Sequence, residues 1–545
     1  WITGLMEAYK REPGGMENLR EQQTRWLQDD YVKFIRFAEH MIAKNGEGVL
    51  GFITNHGYLD NPTFRGMRWH LLDTFDKIYV LDLHGNAKKQ EITPGDISDK
   101  NVFDIQQGVS IIVAVKRRKH KSSIKALADV YHHDMWGSRE TKGDDLWSGS
   151  VDKLPFRKIE IRPPHFAFAV RDYSVEKQYL NGFSIEEIFP VKSTGILTAR
   201  DTFLTDISRS DLLDRIQNAI KIGEKNARDL YAIGSDSRSW SLSKALSDAS
   251  LNLSCVEQMV YRPFDVRHTI YTGTQGGFHF FPANKVTKHI VRKQNLSICY
   301  TRKIEGGRKF ADTFVTVSPI TLHSLSIKEV NSFAPLYLYP EESTLDQSIR
   351  LNFDPKLYAA IRAAAGLTGP LVAPDGSDAF RTATGDARPD EVKVFDYIYG
   401  VLHCPAYRET YREFLKIDFP RVPYPKDPAT FADVSAKGEA LRRLHLMEPA
   451  AIGETPFPFE GAGDSEVVKP RYDGGEVWIN DGQWFADVST TAWEFHIGGY
   501  QPAQKWLKDR KGRTLSWDDI RHYQRIIKIL DETARIMATI DLPLD

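Results

Sequence analysis

The sequence predicts an α/β domain followed by an α+β domain, and three features carry that prediction. The first is the stretch Gly48-Val-Leu-Gly-Phe-Ile-Thr-Asn-His-Gly-Tyr58. In it Val49, Leu50, Phe52 and Ile53 make an apolar run, and Asn55, His56 and Gly57 make a polar, turn-forming tip. Such a run suits a strand inside a parallel sheet covered on both faces, and ligands of open α/β sheets bind at the carboxyl ends of strands. The second feature is helical periodicity on both sides of this run. The third is a change, beyond residue 150, to short segments in which apolar and polar residues alternate, as half-buried strands require.

Residues 1–29 are polar and helical in part. From Asp30 to Lys44, Tyr31, Phe34, Ile35, Ala38, Met41 and Ile42 recur at three- and four-residue spacing, and Asn45-Gly46 supplies a stop. After the first strand, Arg65 to Phe75 reads as a second helix. Lys77-Ile-Tyr-Val-Leu-Asp-Leu83 is a second strand, ending at His84-Gly85-Asn86, and Gly108-Val-Ser-Ile-Ile-Val-Ala-Val115 is a third. No helix separates these two strands, so an antiparallel hairpin at the sheet edge is expected. The loop between them, 86–101, either faces a ligand or is simply solvated. The run Lys116-Arg-Arg-Lys-His-Lys121 has two readings, a solvated strand end or a phosphate contact. His132-His133-Asp134 has no further His or Cys at ligand spacing nearby and is not read as a metal site.

The second domain starts with the alternating segments 158–162 and 165–170 and continues with 296–300 and 313–317. A helical insertion, rich in Asp, Arg, Lys and Ser, occupies about 207–253. The loop Phe189 to Asp201 carries Lys192, Ser193, Thr194 and Arg200. Its Lys-Ser-Thr lacks the upstream glycine spacing of a P-loop. Small hydroxyls, basic side chains and exposed amides nevertheless suit phosphate contacts. Residues 285–310 hold eight Lys and Arg against Glu305, a net +7, with Tyr261, Phe264, Tyr271, Phe278, Phe280, Phe281, Tyr300 and Phe310 beside them. Cations meet phosphates and rings stack on bases, so this window is either a DNA surface or a solvated face over aromatic core. Arg262, Arg267, Arg302 and Lys303 are the leading DNA-contact candidates. The stretch 341–390 turns to Gly, Ala, Pro, Asp and Thr around Ala363 to Pro389, has little hydrophobic period beyond a short helix near 355–365, and reads as a linker or insertion. An amphipathic helix pair spans 391–425. Beyond it, a helix from Thr430 to Leu446, short strands near 477–480, 483–485 and 492–495, and a terminal helix from Trp517 to Met537 are expected. In the phrase 498–510, Lys505, Trp506, Lys508 and Arg510 either touch DNA or close the domain.

At 545 residues several domains are expected. A formal net charge of −1 means that any nucleic-acid site must come from local charge. Three scattered cysteines suit a reducing cytoplasm, and no apolar run approaches the ~18 residues of a membrane span.

Several phrases resemble a known family. Helix 30–44, the strand and loop 48–59, Ile78 to Gly85 and Val102 to Val115 resemble the second half of an amino-methylating, S-adenosylmethionine-dependent DNA methyltransferase. Ile53 to Arg68, Val191-Lys-Ser-Thr-Gly-Ile-Leu-Thr-Ala-Arg-Asp201, Tyr261-Arg-Pro-Phe-Asp-Val-Arg267 and Phe395-Asp-Tyr-Ile-Tyr-Gly-Val-Leu-His-Cys-Pro-Ala-Tyr407 resemble the long type ISP restriction–modification enzymes. The resemblance implies the C-terminal half of a Rossmann-like methyltransferase sheet in 1–120 and a DNA target-recognition domain in 121–340. A linker or insertion in 341–390 and the rest of the specificity region in 391–545 would follow. It implies double-stranded DNA as partner, S-adenosylmethionine as cofactor of the parent protein, base flipping with N6 methylation of adenine, and Asn55 and His56 as pocket wall.

The sequence contains no Asn-Pro-Pro-Tyr or Asp-Pro-Pro-Tyr and no glycine-rich cofactor loop. The expectation is therefore a fragment of an adenine-specific DNA methyltransferase, inactive alone, whose catalytic tetrad and most of whose cofactor pocket lie in an upstream half of the parent chain. No catalytic residue is assigned. Two alternatives stand: a non-catalytic DNA-specificity protein with a degenerate methyltransferase half, or a hydrolase or transferase using the strand ends at His56 or His84.

Overall fold

The computed structural model describes residues 1–19, 25–86, 99–118, 126–171, 173–304, 308–341, 343–370 and 378–544. The chain divides into two compact units, Trp1–Tyr173 together with Glu305–Arg308, and Ser174–Ile304 together with Lys309–Asp545.

In the first unit, α1 (Ile2–Met6) precedes α2 (Asp30–Asn45), β1 (Gly48–Asn55), α3 (Arg65–Thr74), β2 (Lys77–Asp82), β3 (Val109–Lys116), β4 (Asp129–Asp134), α4 (Arg139–Ser148) and β5 (Arg157–Ile159). Gly46 ends α2 in the left-handed conformation that glycine alone adopts without strain, as Asn45-Gly46 foretells. The strands form one sheet in the order β1-β3-β2-β4-β5. β3 is antiparallel to both β1 and β2, while β2 and β4 run parallel.

Two expectations are corrected. Among the described residues β1 is not inside a parallel sheet: it ends the strand order and pairs antiparallel with β3. Its apolar residues alternate in exposure, Leu50 at 5% against Val49 at 64% and Ile53 at 42%. β2 and β3 do pair antiparallel, but β3 lies between β1 and β2 and not at the edge. At eight residues it is long enough to pair along its length with a strand on each side.

The unit boundary falls at 173/174, beyond the 120/121 expected, because β4 and β5 extend the first sheet. The expected strand at 165–170 is absent as a strand. Phe166, Ala167 and Phe168 are buried, but Phe166 takes a positive φ of 49°, which breaks the pleat. Most of loop 86–101 and the distal half of the basic run 116–121 lie outside the described residues.

In the second unit, β6 (Phe183–Ser184) pairs with Arg421–Val422. A four-stranded sheet has the order β11-β10-β12-β7, from β7 (Ser193–Thr194), β10 (Ser297–Thr301), β11 (Thr313–Thr316) and β12 (Asn331–Pro335). β8 (Val256–Arg262) and β9 (Asp265–Ile270) form a separate hairpin. The helical insertion is two helices, Arg209–Leu230 and Leu242–Leu251.

The core of this unit centres on helix Asp390–His403, almost every residue of which is buried. It packs on helix Pro428–His445 so closely that a Cβ on Gly438 would collide with the Asp396 carbonyl. Asp396, fully buried, accepts from Arg388 Nη1 at 2.5 Å and Arg442 Nε at 2.6 Å. The expected linker 341–390 is corrected for its described part. The short helix expected near 355–365 is Pro355–Ala365, but it is not part of a linker: it buries Tyr358, Ile361 and Ala365 in this core, and Arg362 pairs with Asp390 at 2.8 Å. The expected strand at 492–495 is instead the helix Thr490–Glu494, capped by the Ser489 hydroxyl. The terminal helix spans Trp517–Met537 as expected, started by a capping box of Ser516 and Asp519. No helix of the described residues is long and apolar enough to cross a membrane.

Candidate nucleic-acid interface

The β8–β9 hairpin turns at Arg262-Pro263-Phe264-Asp265, where Phe264 takes a φ of 62°. The pairing register shifts between Val260 and Arg262, so Tyr261 sits on an irregularity that re-aims its side chain. Two guanidiniums lie over its ring, Arg262 at 4.2 Å and Arg267 at 3.6 Å from the centroid. Arg262 also lies 4.9 Å from the Tyr500 ring and donates to the carbonyls of Tyr261 at 2.6 Å and His323 at 3.2 Å. Arg267 donates to Asp265 at 3.3 Å and pairs with Asp509 at 3.8 Å. The Nε of each arginine makes no hydrogen bond within the described residues. The Tyr261 hydroxyl donates to Asp201 at 3.0 Å. Burial, and then the Asp201 charge, push its phenol up, so it stays a neutral donor. Cation–π stacking of this kind holds a guanidinium plane in place.

Other candidates lie around or apart from this cluster. Arg200, next to Asp201, donates to Ala199 O at 2.7 Å and Ser235 O at 2.6 Å and lies 5.3 Å from the Trp240 ring. Ser193 and Thr194 are half-buried and pair with Phe333 and Ser332 at the sheet end. Lys192 turns back to the Glu186 carbonyl at 2.7 Å. Arg302 engages Asp418 at 2.9 Å, and Lys303 is half-buried. Arg262, Arg267 and the neighbour of Arg200 are thus gathered around Tyr261, whereas Lys192 and Arg302 have separate partners.

The +7 window is less isolated than its sequence suggests. Arg292 pairs with Glu257 at 2.6 Å and Lys288 with Glu341 at 2.8 Å, both acids from outside the window. Phe264, Phe278, Tyr300 and Phe310 are buried in the core, which corrects their reading as stacking platforms. In the phrase 498–510, Trp506 and Arg510 are buried, and Arg510 pairs with Asp265 at 3.1 Å. That phrase therefore closes the domain behind the hairpin. Tyr500 and Asp265 were missed as parts of the cluster; the turn signal Arg-Pro-Phe-Asp is the one local hint of it.

The first unit gathers another polar group at the carboxyl ends of its strands. Asn55 Oδ1 accepts from Gly57 N at 2.7 Å, and its amide reaches Gln107. His56 is buried, with Nδ1 3.0 Å from Asp82 Oδ1 and Nε2 3.2 Å from the Asn86 amide. Burial pushes the Asp82 carboxyl up, but the hydrogen bond and charge of His56, helped by His84, hold it well below the usual carboxylate range. His84 Nε2 lies 2.9 Å from Asp134 Oδ1, and its ring stacks on Trp136 at 3.4 Å. His132 is buried beside them. Sequence reading treated His132 and Asp134 without Asp82, which joins them only through strand register.

A family model described as the Type ISP C-terminal specificity domain matches residues 187–539. No curated protein matches significantly. Among solved structures, the ATP-dependent Type ISP restriction-modification enzyme LlaBIII bound to DNA is similar, with a TM-score of 0.71 and 18% identity over 99% of this chain and 35% of that one. The DrdV–DNA complex has a TM-score of 0.68 and 20% identity over 96% of this chain and 53% of that one. A nuclease-deletion mutant of the Type ISP enzyme LlaGI, in complex with a DNA substrate mimic, has a TM-score of 0.68 and 20% identity over 99% and 50%. This chain therefore spans about a third to a half of the solved chains it resembles. The specificity-domain match covers well over half of the sequence and includes the whole Tyr261 cluster, and on that ground the chain belongs to the Type ISP C-terminal specificity domain family.

Proposed function

We propose that this chain is the DNA-specificity part of a restriction–modification enzyme that methylates adenine at N6, and that it binds double-stranded DNA in a sequence-specific way. The observation that carries the reading is the pair of guanidiniums stacked on Tyr261 inside the stretch matched by the specificity family. Stacked arginines suit bidentate contacts to guanine or phosphate. The solved relatives named above contain DNA or a DNA mimic, which supports the same partner.

Catalysis needs the upstream half of the parent chain. Its tetrad would polarise the amino group of a flipped adenine. The first unit offers a surface for that half: Val49 and Ile53 on β1, and Phe34, Phe37 and Met41 on α2, are exposed apolar residues. S-adenosylmethionine would supply the methyl group. Asn55 and His56 do not fit as its ligands, because their polar atoms are spent on Gly57, Gln107, Asp82 and Asn86. They serve as pocket wall, and the cofactor contacts belong to the upstream half. The setting is the cytoplasm, where host DNA is reached.

Fluorescence anisotropy with a labelled duplex tests the binding reading. Affinity should fall steeply with salt, and Arg262→Ala and Arg267→Ala should each weaken it about 10-fold or more. Salt-insensitive binding, or variants that bind like the parent, would refute it. Coexpression with the upstream half should restore N6 methylation of adenine.

A further inference from the structure

We propose that Asp82, His132 and Asp134 form a binding site for a divalent transition-metal ion of the Zn2+ type. The strand register builds the site. Parallel pairing sets Asp82, the last residue of β2, opposite Asp134 on β4. The two-residue period of β4 puts His132 on the same face as Asp134. One ligand atom from each of the three residues lies within 4.8 Å of the others.

His132 is the observation that asks for a ligand. It is 2% exposed, and neither ring nitrogen makes a hydrogen bond within the described residues. A buried imidazole without partners forfeits the interactions it had with water. Its Nδ1 lies 3.6 Å from Asp134 Oδ2, too long for a hydrogen bond but suited to two ligands flanking one ion.

The surroundings have the form of an outer ligand shell. His56 holds one oxygen of Asp82 at 3.0 Å, and His84 holds one of Asp134 at 2.9 Å. Each carboxylate is thus oriented from behind by an imidazole, as ligating carboxylates commonly are. Trp136 stacked on His84 keeps that ring in place. The Asp134 side chain is 31% exposed, which gives an ion a way in. Mixed imidazole and carboxylate donors suit Zn2+, and three protein ligands leave a coordination position for water. Such an ion would tie the carboxyl ends of β2 and β4 together. The inference is independent of the DNA reading, since its readout is metal binding alone.

The test uses the full chain stripped with a chelator and titrated with Zn2+ by calorimetry. One Zn2+ per chain should bind, and Asp134→Asn and His132→Gln should each weaken binding by at least about 100-fold, with unchanged far-ultraviolet circular dichroism. Absence of stoichiometric binding, or equal affinity in folded variants, would overturn the proposal. Because substitution of the buried His132 puts folding at risk, the unmodified chain is also loaded with Co2+ and read by proton NMR. One hyperfine-shifted, exchangeable imidazole N–H signal is expected, from a single histidine ligand. None, or two or more, would overturn the three-residue site.

Discussion

Replacing Asp396 by alanine should destabilise the second unit by about 3–5 kcal/mol, the cost of removing one partner from a buried ion pair. Asp396 receives three hydrogen bonds, from Arg388 Nη1 at 2.5 Å and from Arg442 Nε and Nη2 at 2.6 and 3.1 Å. Bonds to charged groups are worth about 1.5–3 kcal/mol each, so simple addition would exceed the range given. The sum overstates the loss because both arginines keep other partners. Arg388 still reaches Ser435 at 3.2 Å and Glu439 at 3.2 Å, and Arg442 still donates to the Phe380 carbonyl. What remains is two guanidiniums, 5% and 0% exposed, stripped of their shared counter-ion. Urea unfolding followed by tryptophan fluorescence gives the assay. With a slope of about 3 kcal/mol per molar urea, the midpoint should drop by about 1 M or more. The triple variant Asp396→Leu with Arg388→Met and Arg442→Met should recover most of that loss, since both guanidiniums go with their shared counter-ion and Glu439, which loses Arg388, keeps Arg443 at 3.8 Å. A drop below about 0.3 M for Asp396→Ala, or a triple variant no better than the single one, would refute the reasoning.

Gly438→Ala should lower stability by about 1–3 kcal/mol or more, because its Cβ meets the backbone of Asp396 and not a yielding side chain; calorimetric melting reads it. Tyr261→Ala should weaken duplex binding about 5-fold or more by removing the platform under both arginines, whereas Tyr261→Phe keeps the ring and should lose far less in anisotropy titrations. Stability should also fall in acid. Burial pushes the His445 imidazole down to about 3, with the Arg408 charge adding to it, and burial pushes His279 down to about 4. The unfolded chain takes up these protons near pH 6.5, so stability is full above about 6.5 and declines as pH falls toward 4, by up to about 1.4 kcal/mol per histidine per pH unit. Urea midpoints that stay level or rise between about pH 7 and 5 would contradict this.

Local signals were legible in the sequence where one element carried its own start and stop. Asn45-Gly46 marked the end of α2, and Trp517–Met537 combined a strong apolar stripe with a Ser516 cap. Pairing was not legible. Nothing in Val109–Lys116 says that it inserts between β1 and β2, because both edges of an apolar strand are equivalent until its neighbours are placed. The same gap moved the unit boundary, since Lys158 and Ile159 alternate equally well in either sheet. The segment 341–390 looked like a linker because Gly, Ala, Pro, Asp and Thr crowd its second half; its short helix near 355–365 was legible, but not that Phe353, Tyr358 and Ile361 are core residues. At the candidate interface, Arg262 and Arg267 were picked from their phrase, but their shared platform on Tyr261 arises from a register shift. His132 and Asp134 were visible as neighbours in the group His132-His133-Asp134, but not as residues of one strand. Asp82 joins them from 50 residues away only through the parallel pairing of β2 with β4.

The most direct measurement for the specificity reading is selection from a random duplex library by the full chain, followed by sequencing of the bound DNA. The account predicts enrichment of one short motif, with affinity for it that drops as salt rises and is lost in the Arg262→Ala, Arg267→Ala double variant. A pool that stays random, or a motif retained equally by the double variant, would contradict it.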